Sequence, residues 1–237
     1  ASDAAQIADL LARDPTLAGD VARTASGAPY GRTQAFTSLQ QAVEAIGIEG
    51  LRHVVLRSVM RPILRGDGGH PGAEAVARLW SQCEARAWLC GRLAAGREDA
   101  GEAHLAGMVA GTGIAALSRM VPAPVLGDAA QDVDFAPRLL AIARPLSVRA
   151  AAHWQFPATV LQALQTAGAP DASPLARTLQ AADRLAMGYR LIEAGRLPAD
   201  AAWPNGGGGF DAPAARATLF KAMAHEVEAL DPASAAA

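Results

Sequence analysis

LAGMVAGTGIAAL, residues Leu105 to Leu117, carries no charge and places four small residues, Ala106, Gly107, Ala110 and Gly111, on helically adjacent positions. Each interior glycine costs a helix about 1 kcal/mol relative to alanine, so the segment holds as a helix only where its neighbours support it. Small side chains also let a neighbouring backbone come close. The stretch therefore predicts one innermost helix of an all-α domain, flanked by two amphipathic segments, and marks the place to look for a buried site.

The bulk of the chain agrees with a packed domain. With 237 residues, 51% of them hydrophobic, it can bury a substantial core as one domain or one domain plus a small subdomain. Disorder of the whole is excluded on composition. A formal net charge of -2 and a pI near 6.2 give no global pull toward nucleic acid or acidic membrane. Cys83 and Cys90, seven apart on one helical segment, lie roughly 10 Å apart, beyond the Cα limit of about 7 Å for a disulfide. The expectation is a reduced, cytoplasmic protein. The longest uncharged run, Ala150 to Pro170, is broken by His153, Gln155, Pro157, Gln162 and Gln165, so no transmembrane helix is read. The opening ASDAAQIADLLARD is not a secretory signal, and a start at Ala1 is expected of a trimmed chain that leaves room for an upstream domain.

In chain order, Ile7, Leu10 and Leu11 recur at helical spacing, and Asp14-Pro15 then opens a second helix as N-cap and first helical residue. The turn SGAPYGRTQ follows; its glycines lack the spacing, the lysine and the preceding strand of a phosphate loop. Ser38 and Gln41 form a capping box, and Gly47 ends the helix that they start. Two short helices around Gly47 to Gly50 raise the question of a helix-turn-helix. Leu51, Val54, Val55, Leu56, Val59 and Met60 leave too little polar surface on the second to read base edges, which argues against DNA binding. On the same helix His53, Arg57, Arg61 and Arg65 follow at spacing four, a basic stripe that is either a solvated face or a docking surface for a phosphate group or an acidic partner. Pro62 predicts a kink or break there. GDGGHPG and VPAPVLGDAAQD read as loops, and a helix is expected from about Phe135 to Ala143 with Asp134 as its N-cap. Pro174 after Ser173 is expected to start a further helix that Gly195 ends.

RDPTLAGDVARTASGAPYGRTQAFTSLQQAVEAIGIEGLRHVVL closely resembles the opening of the HD-related output domain (HDOD) family. The elements are Asp14, Pro15 and Leu17, then Tyr30-Gly31, then Thr37, Ser38 and Leu39, then Ala42, Ile46 and Gly47, with Ser26-Gly27 in place of the family's Asn-Ser. The likeness continues to about Glu193. HDOD is a degenerate branch of the HD phosphohydrolases, and the resemblance implies an HD-like helical bundle with an N-terminal helical subdomain. The HDOD domain is expected over residues 1–195, its N-terminal part to about 66 and its HD-like part from about 73. A Gly-rich loop, a C-terminal helix near 212–230 and a disordered tail are expected after it.

The same resemblance assigns the metal positions. The HD motif aligns with Gly107, Met108, Val109, Ala110, Gly111, Thr112 and Gly113, so its His-Asp pair has become Ala110-Gly111, which offer no side-chain donor. A long helix from about Ala73 to Ala95 carries Trp80, and two residues on, Gln82 takes the place of the first metal histidine. Ala143 and Ala167-Gly168 stand where further histidines belong, around the corner built on Trp154, Phe156 and Pro157. Asp183 matches the closing aspartate, and a lone carboxylate is expected to pair with an arginine or cap a buried network. His104 and His153 fall outside the ligand positions.

No other catalytic motif is present. The expectation is a non-catalytic bacterial signal-transduction module without metal or cofactor, acting through protein contacts. The alternative is a ligand sensor, for a nucleotide or cyclic dinucleotide, or a residual phosphohydrolase. It would use the pocket of Trp80, Gln82, Ala110, Gly111 and Asp183, with Arg144 or Arg184 on phosphate.

Overall fold

Several helix starts along the chain are fixed by side chains that accept otherwise unpaired backbone N–H groups. The structure, a computed structural model, describes residues 2–26, 38–65, 73–120, 132, 134–201 and 210–229. Every element among them is helical: α1 (Ser2–Leu11), α2 (Pro15–Ala25), α3 (Leu39–Arg65), α4 (Ala73–Ala94), α5 (Ala100–Val109), α6 (Thr112–Met120), α7 (Phe135–His153), α8 (Ala158–Thr166), α9 (Pro174–Glu193) and α10 (Pro213–Ala229). Asp14 caps α2 by accepting from the N–H groups of Thr16 and Leu17 at 2.9 and 3.1 Å, and Ser173 caps α9 by accepting from Ala176 at 3.1 Å. Ser38 accepts from the Gln41 N–H at 3.2 Å, as a capping box requires.

Two compact units divide the chain, Ala1–Met60 with Lys221–Ala237, and Arg61–Phe220. The boundaries expected from sequence near 66–73 and 195 differ from these, which fall inside α3 and α10. In the first unit Leu11, Val21, Ala25, Ala42, Val43, Ile46, Leu51 and Val54 form the core. Burying a side chain such as Val21 contributes about 1.5–3 kcal/mol. α3 is two helices joined at Gly47, whose φ of 65° and ψ of 178° suit glycine. At Pro62, where a kink or short break is expected, the helix is not broken and α3 continues to Arg65.

In the second unit α4 packs mainly on α5 and α9, α6 packs on α7, and α8 touches α5, α7 and α9. Trp80, Cys83, Ala87, Cys90 and Ala94 are fully buried on one face of α4. Two glycines permit close backbone approach. A Cβ on Gly107 would lie 2.7 Å from Ala87 Cα, and one on Gly113 would enter the Ala143 carbonyl.

The structure corrects three sequence expectations. The Leu105–Leu117 segment is innermost, with Ala106 and Val109 fully buried, but it is two helices broken at Ala110-Gly111. Ser147 holds the break open: its hydroxyl accepts from the Gly113 N–H and donates to the Ala110 carbonyl, each at 3.0 Å. The helix expected to stop at Ala143 runs on to His153, carrying Pro145 inside it. Asp134 has helical backbone angles and makes no capping bond, contrary to the expected N-cap. The turn from Gly27 to Thr33, the GDGGHPG loop, most of VPAPVLGDAAQD, the glycine run and the C-terminal tail lie outside the described residues.

Candidate functional site

The broken segment lies against α4, and α4 presents a buried arginine to it. Only 6% of the Arg86 side chain is exposed. Its Nε donates to the Gly107 carbonyl at 2.7 Å, Nη1 donates to Asp183 Oδ1 on α9 at 2.9 Å, and Nη2 lies 3.4 Å from Cys83 Sγ. One guanidinium therefore ties together α4, α5 and α9. Burial works against its charge, but the Cys83 sulfur and the Asp183 carboxylate prevail, holding its pKa above the ordinary arginine value. Cys83 is pushed up by burial, against the opposing charge of Arg86, and is a neutral thiol.

Gly111 completes the arrangement. A Cβ there would run into Cys83 Sγ and come within 3.0 Å of Arg86 Nη2. The space that a side chain would need at the second motif position is thus occupied by α4 groups. Asp183, half-exposed, pairs with an arginine as expected from sequence, and the arginine is Arg86. A metal ion does not fit these residues. Ala110 and Gly111 bring no donors, Asp183 is engaged by a cation already, and among the described residues no three His, Cys, Asp or Glu side chains converge as a ligand set.

The structure distributes the sequence-predicted residues unevenly. Gly111 and Asp183 meet through Cys83 and Arg86. Trp80 is fully buried on α4. Gln82 is buried four residues before Arg86, so the two share a helix face. Both polar atoms of the Gln82 amide are buried and have no hydrogen-bond partner among the described residues. Ala110 is half-buried at the helix break. His53, Arg57 and Arg61 are half-buried and each is engaged in a polar, ring or electrostatic interaction, so the stripe is not a fully solvated face. Burial, against the pull of Glu49, lowers the His53 pKa, so this member is uncharged at neutral pH. The Arg65 side chain lies outside the described residues.

A family model described as HDOD domain matches residues 1–170. The chain belongs to the HDOD family. Its fold is similar to that of an HDOD domain protein of unknown function from Geobacter sulfurreducens, with a TM-score of 0.69 and 18% identity over 97% of this chain and 86% of that one. A protein from Shewanella amazonensis SB2B, provisionally named a phosphohydrolase, superposes with a TM-score of 0.67 at 20% identity, covering 95% of this chain and 85% of that one. A protein from Marinobacter aquaeolei VT8, provisionally named for signal transduction, gives 0.58 at 20% identity over 97% and 54%. No curated protein matches the chain.

Sequence reasoning missed Arg86 and Ser147 in this HDOD domain. A signal for Arg86 was present, because Leu79, Cys83, Arg86 and Cys90 follow one another at spacings of four, three and four, which sets a charge on the apolar stripe. A charge at such a position needs a buried partner. Ser147 carried no comparable signal, since a serine within a helical run is unremarkable until the groups facing it are known.

Proposed function

We propose that this HDOD domain is a non-catalytic regulatory module of bacterial signal transduction, cytoplasmic, that works through contacts with other proteins. The observation that carries the reading is the Arg86 guanidinium bonded to Asp183 and Gly107 beside Gly111. Phosphoester hydrolysis in the HD superfamily, which the sequence resembles, depends on metal-held groups. A side-chain cation instead neutralises the retained aspartate. Such a cation has no exchangeable ligand position and so cannot activate a water molecule. The scaffold is kept and the chemistry is replaced by a structural ion pair, which makes the domain a pseudoenzyme.

Metal analysis of the purified protein, paired with assays on nitrophenyl phosphate and phosphodiesters in added manganese, iron or magnesium, tests this. The expected result is no stoichiometric metal and no turnover above buffer. Turnover lost in Asp183→Asn would defeat the proposal.

One observation favours a second reading. The Gln82 amide, without a partner among the described residues, offers one acceptor and two donors next to Arg86, which suits a small ligand with both kinds of group on one edge, such as a nucleobase. A thermal-shift screen of nucleotides and cyclic dinucleotides separates the two readings. A stabilising ligand whose effect vanishes in Gln82→Leu supports the sensor.

A further inference from the structure

Away from the Arg86 site, α7 and α8 border a groove of about 670 Å³. Its apolar walls include Leu140, Pro145 and Val148, and its polar groups are Arg144, Arg149 and Gln165. Leu140 is 45% exposed. Arg144 and Arg149 are exposed, and among the described residues neither is paired with a carboxylate. At about 100° of helical rotation per residue, Arg144 lies near the middle of the lining face and Arg149 at its edge. Two cations that have no carboxylate partner among the described residues thus stand within and beside an exposed apolar surface of α7.

We infer that this groove is a docking surface for an acidic, partly apolar segment of a partner protein. The inference rests on the reading of the domain as a contact module and names the surface through which it acts. Charge complementarity selects the partner. The guanidiniums accept carboxylates in bidentate geometry, while Leu140, Pro145 and Val148 offer area for aliphatic side chains. A compact phosphate ligand would leave that strip uncovered. An acidic segment with leucines on the same face uses both parts. Steering by the arginines also makes such docking sensitive to salt.

The test uses the full chain and a fluorescein-labelled helical peptide that carries glutamates and leucines on one face. A second peptide has glutamine for each glutamate. Saturable anisotropy is expected with the first, weakening as salt rises from about 0.1 M to about 1 M. The double variant Arg144→Glu/Arg149→Glu should bind at least about tenfold more weakly, a change of about 1.4 kcal/mol. Arg13→Glu/Arg196→Glu, which changes the net charge equally at exposed positions, should bind as the parent does. Unchanged circular dichroism and melting confirm that both variants fold.

Equal binding by the two double variants would overturn the proposal, as would equal binding of the glutamine peptide. It would also fall if pyrophosphate displaced the peptide as well as the unlabelled peptide does, or if Arg144→Glu/Arg149→Glu dissolved a self-association of this chain while the peptide did not bind. Absence of saturable binding without metal-dependent turnover removes the groove and leaves the non-catalytic reading standing. Turnover removes that reading whatever the peptide does.

Discussion

Arg86 and Asp183 form an ion pair of unequal members, since the arginine side chain is 6% exposed and the aspartate side chain 48%. Removing the aspartate strands a buried cation, whereas removing the arginine leaves a carboxylate that water can reach. Asp183→Ala should therefore lower unfolding stability by about 3 kcal/mol, less than a fully buried pair would lose because solvent screens the carboxylate. Arg86→Met should cost about 1–2 kcal/mol, chiefly for the Gly107 carbonyl left unbonded. Urea melts of both variants and of the double mutant check the order, and the double mutant should be more stable than Asp183→Ala alone. Gly111→Asp, which returns the motif carboxylate, should destabilise the chain by more than 3 kcal/mol because its Cβ meets Cys83 Sγ. Adding Cys83→Ala should recover part of that loss.

The cysteines give a pH dependence. Burial pushes Cys90 from 9.0 to about 12, and Cys83 moves in the same direction. A raised folded-state pKa means that the stability is fully present below the unfolded value near 9. Above it the unfolded chain releases protons that the folded chain retains, and stability falls by about 1.4 kcal/mol per pH unit for each thiol until the folded pKa is reached. Urea midpoints measured between pH 8 and pH 11 should fall less steeply for Cys90→Ala than for the parent, and native protein should react with thiol reagents only after unfolding.

At the scale of elements, helix ends written in neighbouring residues were legible from the sequence. Asp14-Pro15, Ser38 with Gln41, Ser173-Pro174 and Gly195 all act where they were placed, because each is a local device spanning a few residues. Helix interiors were less legible. The break at Ala110-Gly111 depends on Ser147, 37 residues from Ala110, and no local pattern announces a serine hydroxyl arriving from another helix. Ser147→Ala should cost about 1–3 kcal/mol by leaving a buried N–H and a carbonyl unpaired. Gly47→Ala should cost a similar amount, because its positive φ with extended ψ excludes a Cβ. Thermal denaturation followed by circular dichroism reads both.

At the scale of the whole molecule the same contrast holds. The family and the all-α fold could be read because separated motifs occur in order along the chain. The candidate site was half readable. The resemblance to the HD motif placed Asp183 and Gly111, but the group that joins them comes from Arg86, 97 residues before Asp183. The pocket expected around Gly111 and Asp183 therefore left out the Cys83 and Arg86 groups that lie against them. Periodicity registers which face of a helix is apolar and does not register what crosses to meet it.

A metallohydrolase of this shape takes its central positive charge from solution and can be stripped of it by a chelator. On the reading proposed here, Arg86 supplies a corresponding charge that is encoded in the polypeptide and travels with it from the ribosome. Folding of the core should consequently be indifferent to the cellular supply of transition metals: melting in excess EDTA should coincide with melting in buffer, and growth of the host on depleted medium should leave the protein's yield unchanged.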